Sequence, residues 1–433
     1  MPRPRRSLLL DAYGVALAVA GPPVAAGLLA WRTAKRREMP RRRGERRGQA
    51  SWPRPAGELV WVHGASVGEL VSLLPVTEAL VERGFATLVT SGTVASAEIA
   101  AVRLPAAAIH QFAPLDVPRY LRRFLDHWRP ALAVFAESEL WPATIAATAR
   151  RGIPLILANA RMSDRSFRRW RRAMPMARAV LGRIELCLAQ SAEDGQRLAA
   201  LGAPRVETVG NLKLDVPPPP APAEAVVRLS RAFLHRRVLV AASTHPGEEA
   251  MLAEAHAAAR AALPGLLTVI VPRHPERGAE VAAIAARAGL AAERRTETAI
   301  PAADTEIYVA DTIGELGLFY RTADLAFLGG SLVPHGGQNP IEPAKLGAAI
   351  LHGPHVGNFA AIYAALDEAG AAHPVASVDD LAAAIVRLGR DAAARHAMRD
   401  AAFGAVERLG GALGRTIAAL DPYLMQMQLR QGG

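Results

Sequence analysis

GGSLVPHGGQNPIEPAKLGAAILHGPHVGNF, residues 329–359, reads as a strand exit, a glycine-rich loop, a short helix and a second strand. The apolar run Leu325–Leu328 just before it has the length of a buried strand, and Ala349–His352 within it has the same character. Between them Asn339 is placed as an N-cap, Pro340 as the first helical residue and Gly347 as the stop. Gly336 and Gly337 let a ligand approach bare backbone. A helix start presents unpaired N–H groups and partial positive charge, which suits an anion such as a phosphate. Glu342, on the first turn, would repel a phosphate and is better suited to ribose hydroxyls. An ordinary strand–loop–helix connection explains this stretch equally well when it is taken alone.

The same alternation extends in both directions. Short apolar runs at Leu59–His63, Ala86–Thr90, Ala131–Ala136, Pro154–Ala158 and Leu186–Gln190 are separated by helical stretches. A second series follows at Val238–Ala242, Leu267–Val271, Glu306–Ala310 and Asp324–Leu328. Such runs indicate parallel sheets covered on both faces, an α/β fold. Between the series lies Val216–Ala223 (VPPPPAPA), with the composition of a stiff linker. The expected organisation is a membrane anchor and basic segment at 1–50, a Rossmann-like domain at 51–215, the linker at 216–223, and a second Rossmann-like domain with terminal helices at 224–433. Two doubly wound halves place a ligand cleft between them, at the carboxyl ends of the strands.

The formal charge of +11 invites a nucleic-acid partner, but its distribution argues against one. Residues 1–50 hold twelve Lys or Arg against three acids, an excess of nine that leaves two for all the rest. That basic tail follows a segment without charge, Ala12–Trp31, about long enough to cross a bilayer but interrupted by Pro22 and Pro23. It reads as a kinked span or an interfacial anchor, with Arg32–Arg47 facing anionic headgroups of membrane phospholipid. A single cysteine, Cys187, leaves no internal disulfide, and the twelve histidines form no HExxH or Cys/His cluster, so no metal site is expected. Only three lysines occur, and two of them, Lys213 and Lys345, lie in distinctive segments.

Gly64-Ala65-Ser66-Val67-Gly68 matches the nucleophile elbow of serine hydrolases. Its place after the first clear strand argues against that chemistry. Glu69, in the same turn, projects from a helix start that favours its ionised form, and can accept a proton from an alcohol. Glu137 falls at the end of another strand, and Glu139 is read as the beginning of the helix after it. In the second half, turns carrying Ser243 and His245, Arg273, and Thr312, Gly314 and Glu315 follow strands, and each can grip a phosphate. No P-loop and no G-x-G-x-x-G occurs, which leaves ATPase and dinucleotide readings without support. Arg161–Arg172, with Arg161, Arg165, Arg168 and Arg169 among aromatic residues, suits a phosphorylated lipid or membrane surface.

Taken in order, HGASVGE (63–69), TSGT (90–93), ESELWP (137–142), NARMSDRS (159–166), GNLKLD (210–215), STHPGEE (243–249), PRHPER (272–277), DTIGEL (311–316), GGSLVPHGGQNPIEPA (329–344) and GPHVGNF (353–359) resemble the 3-deoxy-D-manno-octulosonic acid (Kdo) transferases. The resemblance implies a GT-B fold, a CMP-Kdo donor, a lipid A precursor as acceptor, and inverting transfer with no cofactor at the cytoplasmic face of the inner membrane. It implies that Glu69 is the general base, that Glu137 is a second essential carboxylate, and that Ser66 and the Arg161–Arg169 arginines lie on the acceptor or membrane side. It places Lys213, Ser243, His245, Arg273, Gly314, Glu315, Gly336, Gly337, Asn339 and Glu342 on the donor side. Gln338 departs from the histidine expected there, which puts a direct phosphate role at that position in doubt. A GT-B enzyme using a UDP-sugar and a non-catalytic, membrane-tethered sugar-nucleotide binder are the alternatives.

Overall fold

A computed structural model describes residues 7–431, which divide into two units, 7–216 with 410–431 and 217–409. The first unit contains β1 (Leu59–His63), β2 (Ala86–Ser91), β3 (Ala108–Phe112), β4 (Leu132–Ala136), β5 (Leu155–Ala160), β6 (Leu186–Ala189) and β7 (Val206–Thr208). They form one parallel sheet in the order β3-β2-β1-β4-β5-β6-β7. The order reverses between β1 and β4, so the loops leaving those two strands diverge to opposite faces and open a crevice at their carboxyl ends.

The strands are apolar throughout because both faces are covered. Leu59 and Trp61 of β1 join Phe124, Trp128 and Phe135 in a core on one face. Val60 and Val62 point the other way and join Leu70, Val76 and Leu80. Ile417, Leu420, Leu424 and Met427 complete that second face. They belong to the helix Ala412–Gln431, which therefore packs on the first unit and not at the end of a 224–433 domain as expected. Burying each leucine contributes roughly 1.5–3 kcal/mol, enough for the apolar stripe to select this sheet face. Asp215 holds the returning chain by accepting the N–H groups of Gly411 (2.7 Å) and Leu413 (2.8 Å).

The second unit contains β8 (Arg237–Thr244), β9 (Leu266–Pro272), β10 (Ala292–Arg294), β11 (Ile307–Val309), β12 (Leu325–Leu328), β13 (Ala349–His352) and β14 (Ala372–Pro374). Its parallel sheet runs β10-β11-β9-β8-β12-β13-β14, with the reversal between β8 and β12. Residues 217–222 of the proline-rich segment lie with this unit, the Pro219 carbonyl accepting from Arg321 at 2.6 Å. The fold class is thus the expected one, two doubly wound Rossmann-like units of GT-B type.

The N-terminal helix runs unbroken from Leu8 to Ala34, through Pro22 and Pro23. It is long and apolar enough to cross a membrane. One stripe (Leu10, Gly21, Ala25, Leu29) is buried against the unit, while Val15, Val19 and Val24 face outward. The basic run that follows is not a free tail. Arg46 is 2% exposed and pairs with Glu38 at 3.2 Å, Arg32 pairs with the same carboxylate, and Arg42 pairs with Glu45 at 2.8 Å. The expectation that all of Arg32–Arg47 faces headgroups is corrected: two acids fold part of the cluster inward, leaving Lys35, Arg36, Arg37, Arg41 and Arg47 outside.

Candidate active site

The loops after β1, β2, β3 and β4 line a cavity of about 390 Å³ within the first unit. Arg32, Arg46, His63, Ser66, Glu69, Asp116, Glu139 and Trp141 contribute to its wall. Three carboxylates and two guanidiniums converge at the sheet's switch point, where this architecture gathers functional groups.

Ser66 and Glu69 form a reciprocal capping box on the helix Val67–Ser72. The Ser66 hydroxyl accepts the Glu69 N–H at 3.3 Å and the Glu69 carboxylate accepts the Ser66 N–H at 3.0 Å. This pairing orients the Glu69 carboxylate in the cavity wall and makes Ser66 a helix cap rather than an activated nucleophile. Burial, then the charge of Glu139, then that of Glu137 push the Glu69 carboxyl above its ordinary value, against the Ser66 N–H and His63. The sequence-based expectation that the helix start favours ionisation is therefore overturned by desolvation and like charge. A base of raised proton affinity is better matched to a neutral operating pH.

Glu139 does not begin a helix; the next one starts at Pro142 with Trp141 as its cap. Its carboxylate instead accepts from His63 Nε2 at 3.3 Å and from the Trp141 indole N–H. Burial opposes its charge, but His63 and Trp141 outweigh that, and the group stays below the ordinary carboxylate value. Asp116 lies in the same wall and caps that helix, taking N–H groups from Ala143 (3.2 Å) and Thr144 (2.7 Å) and the Thr144 hydroxyl (2.6 Å). Burial pushes its carboxyl upward.

Glu137 follows β4 in the left-handed region, with φ +47°. Asn159 (φ +51°) and Ser243 (φ +56°) share that uncommon conformation, each in the last turn of a strand. Glu137 meets Lys213, whose Nζ is 2.6 Å from Oε1. Asn159 Oδ1 accepts the Leu212 N–H at 2.9 Å and so fastens the GNLKLD turn beside it. Lys213, which the resemblance places on the donor side, lies in the first unit beside this glutamate. Arg165 and Arg169 are exposed on the helix Asp164–Arg172, Arg168 pairs with Asp164, and Arg161 is half-buried just before it.

In the second unit the turns after β8 and β12 meet at the switch point. Glu248, fully buried, accepts the N–H groups of His245 (2.9 Å), Gly330 (2.7 Å), Ser331 (3.0 Å) and Leu332 (3.1 Å) and ties the turns together. Such complete satisfaction is what makes a buried carboxylate tolerable. His245 stacks on His335 with ring centroids 3.7 Å apart and bonds Gln338 Nε2 at 3.0 Å. Burial, then His335, His274 and Arg273, lower the His245 imidazole to about 4, so it is neutral there. The exposed Arg273 starts the turn after β9, its N–H bonded to the Thr244 carbonyl at 3.0 Å.

Two expectations for the glycine-rich stretch are corrected. The helix runs from Ile341 to Leu346 with Pro340 as its cap, and Asn339 Oδ1 takes the Ile341 N–H at 3.1 Å from just outside. Gly336 and Gly337 face protein: a Cβ on Gly336 would meet the Asn358 side chain at 2.7 Å, and one on Gly337 the His355 carbonyl at 3.1 Å. The loop 353–359 folds over them. Glu342 is half-buried on the first turn, where Asn339 Nδ2 reaches its Oε1 at 3.3 Å. Glu315 is held by Arg295 (2.6 Å) and Thr312 (2.5 Å), and Gly314 beside it is open (φ +87°).

Residues 40–216 match the family model described as 3-Deoxy-D-manno-octulosonic-acid transferase (kdotransferase). The chain is 33% identical over 383 residues to the 3-deoxy-D-manno-octulosonic acid transferase of Haemophilus influenzae, covering 87% of this chain and 89% of that protein. The chain belongs to the Kdo transferase family. The Bordetella pertussis family member is 37% identical over 391 residues, covering 87% of this chain and 90% of that protein. Among solved structures, a glycosyltransferase from Rickettsia africae superposes with a TM-score of 0.59 at 11% identity, covering 86% of this chain and 99% of that one, a likeness of fold alone.

Relative to this Kdo transferase's expected site residues, Glu139, Asp116, His63 and Glu248 are additions. Glu139 and His63 sit inside the motifs ESELWP and HGASVGE, so their signal was proximity to Glu137 and Glu69. Asp116 and Glu248 are polar groups whose partners become visible only when distant loops meet.

Proposed function

We propose that the chain transfers Kdo from CMP-Kdo to a hydroxyl of a lipid A precursor in lipopolysaccharide biosynthesis, inverting the anomeric configuration. The observation that carries this reading is Glu69 in the cavity wall at the end of β1, with its proton affinity raised, in a chain of this family. The acceptor hydroxyl attacks the anomeric carbon while Glu69 takes its proton. The new C–O bond forms as the bond to the phosphate oxygen breaks, and CMP departs with the electron pair.

The second unit takes the donor in this reading. Arg273 neutralises the phosphate, the neutral His245 and the left-handed Ser243 turn line it, Asn339, Glu342, Glu315 and the Gly314 turn shape the nucleoside end, and Gly336 and Gly337 act from behind by seating the loop 353–359. Glu137, held by Lys213, stands beside the reaction as the second carboxylate. The outward apolar face of the N-terminal helix, with the arginines of 161–169, seats the enzyme on membrane phospholipid at the cytoplasmic face of the inner membrane, beside its lipid acceptor. The test is product analysis in vitro with CMP-Kdo and a lipid A precursor. Mass addition of Kdo with release of CMP is the expected result; turnover with a UDP-sugar, or CMP-Kdo binding without CMP release, would overturn it.

A further inference from the structure

A one-way chain of hydrogen bonds crosses the first unit and ends in the cavity. The Trp61 indole N–H can only donate, and it gives its proton to Thr90 Oγ1 at 2.9 Å. The Thr90 hydroxyl proton then turns to His63 Nδ1, 2.9 Å away, in preference to the Val62 carbonyl at 3.5 Å. That makes Nδ1 the acceptor and Nε2 the protonated nitrogen of a neutral imidazole. Were Nδ1 to donate to the Thr90 carbonyl at 3.2 Å instead, a neutral ring would set a bare Nε2 lone pair against the Glu139 carboxylate oxygen, so that arrangement requires the imidazolium, with a proton on both nitrogens. In both states Nε2–H donates to Glu139 Oε2 at 3.3 Å. Trp141 donates to the same oxygen. His63 is 4% exposed and its ring packs edge-on against Phe135, so it has no freedom to turn away.

Two N–H groups converging on Oε2 favour the carboxylate of Glu139 over the acid, and with the imidazole neutral they hold that charge without cancelling it. The charged groups around Glu69 are Glu139, Glu137 with its partner Lys213, His63, and the cavity's Asp116, Arg32 and Arg46. Asp116 is taken up by its helix cap, and Arg46 and Arg32 by Glu38. Glu139 acts on Glu69 more strongly than Glu137 does.

We propose that Glu139 is a positioning residue for the transfer reaction, its charge held in the cavity by His63 and Trp141 so that Glu69 meets the acceptor hydroxyl as a stronger base than a free glutamate. This rests on the reading of Glu69 as the general base. The acceptor's proton goes to Glu69; Glu139 neither gains nor loses one.

Glu139→Gln tests this, because an amide oxygen still accepts both N–H groups while the charge is gone. The pH dependence of kcat/KM for Kdo transfer is measured for the full chain in detergent with CMP-Kdo and the lipid A precursor. The acid limb, which reports ionisation of Glu69, is expected to move to lower pH by about one unit, with a plateau several-fold lower because the base is weaker. A limb that stays in place, whether or not the plateau falls, overturns the proposal. His63→Gln supplies a second reading should the first variant fold poorly. It can offer an N–H to Glu139, and it should keep the wild-type limb where His63→Ala shifts it; coincident limbs for all three overturn the proposal. Glu69→Gln is run alongside. If it turns over like the wild type, the base assignment fails together with the proposal, whereas an inactive Glu69→Gln with an unmoved Glu139→Gln limb sinks only the proposal.

Discussion

Lys213 and Glu137 meet at 2.6 Å, joining the turn after β7 to the left-handed residue that ends β4. Both side chains are largely shielded, at 20% and 13% exposure, so the pair is neither a surface contact nor a fully buried one. Removing one partner strands the other. Lys213→Met is expected to cost roughly 2 kcal/mol of stability and to lower the melting temperature. The double variant with Glu137→Gln should recover much of that stability and still lack transferase activity. Recovery of activity along with stability would assign the pair to the fold alone.

Glu69→Gln is expected to lower kcat by roughly 10²–10⁴-fold while leaving the affinity for CMP within a factor of two or so of wild type. Because the Glu69 carboxyl is raised, activity should fall on acidification from a pH above the ordinary carboxylate range. Turnover against pH for the wild type, with CMP binding by calorimetry for the variant, checks both halves.

Burial and then Arg42 lower the His110 imidazole to about 4. Arg42 donates to its Nδ1 at 3.2 Å, so the proton sits on Nε2, toward Ser91 Oγ at 2.9 Å. Between the unfolded value of 6.5 and about 4 the unfolded chain binds a proton that the folded one refuses. The stability is thus fully present above 6.5 and is lost as the pH falls toward 4. His110→Asn should flatten this dependence by roughly 2 kcal/mol, read as chemical denaturation at neutral pH and at pH 5. Glu69 and Asp116, whose folded values are raised, work in the opposite sense, so the informative quantity is the difference between variant and wild type.

Gly336 has φ +108°, and an added Cβ would stand 2.7 Å from the Asn358 side chain. Gly336→Ala is expected to cost roughly 1–3 kcal/mol and to weaken CMP binding by displacing the loop 353–359. Unchanged CMP affinity at a lowered melting temperature would separate that loop from the donor site.

Val15 and Val19 lie one helical turn apart on the outward face of the N-terminal helix, at 66% and 77% exposure, whereas Leu29 is 2% exposed. Changing both valines to glutamate should shift the protein from the membrane to the soluble fraction, at roughly 2.5–3.5 kcal/mol per charge, without lowering its melting temperature. Leu29→Glu should unfold the packing instead. Persistent membrane association of the double variant, by flotation with vesicles, would assign the anchor elsewhere.

The interior strands were legible because a strand buried on both faces is apolar at every position, as in LVWVH of β1 and LAFL of β12. The strands at the four sheet edges were not. AIHQF of β3 and the three-residue VET, AER and AHP of β7, β10 and β14 each pair on one side only and are partly exposed, so their composition carries no such mark. Glu69 was readable from its turn, but its raised proton affinity was not, since that depends on burial by distant loops and then on Glu139 arriving after another strand. The basic cluster misled for the same reason: a charge count cannot tell that Arg46 points inward to Glu38.

The helix Ala412–Gln431 supplies one wall of the core behind β1, though 193 residues of a separate unit are made before it. During synthesis Val60 and Val62 therefore lack part of their cover until chain beyond the second unit has left the ribosome.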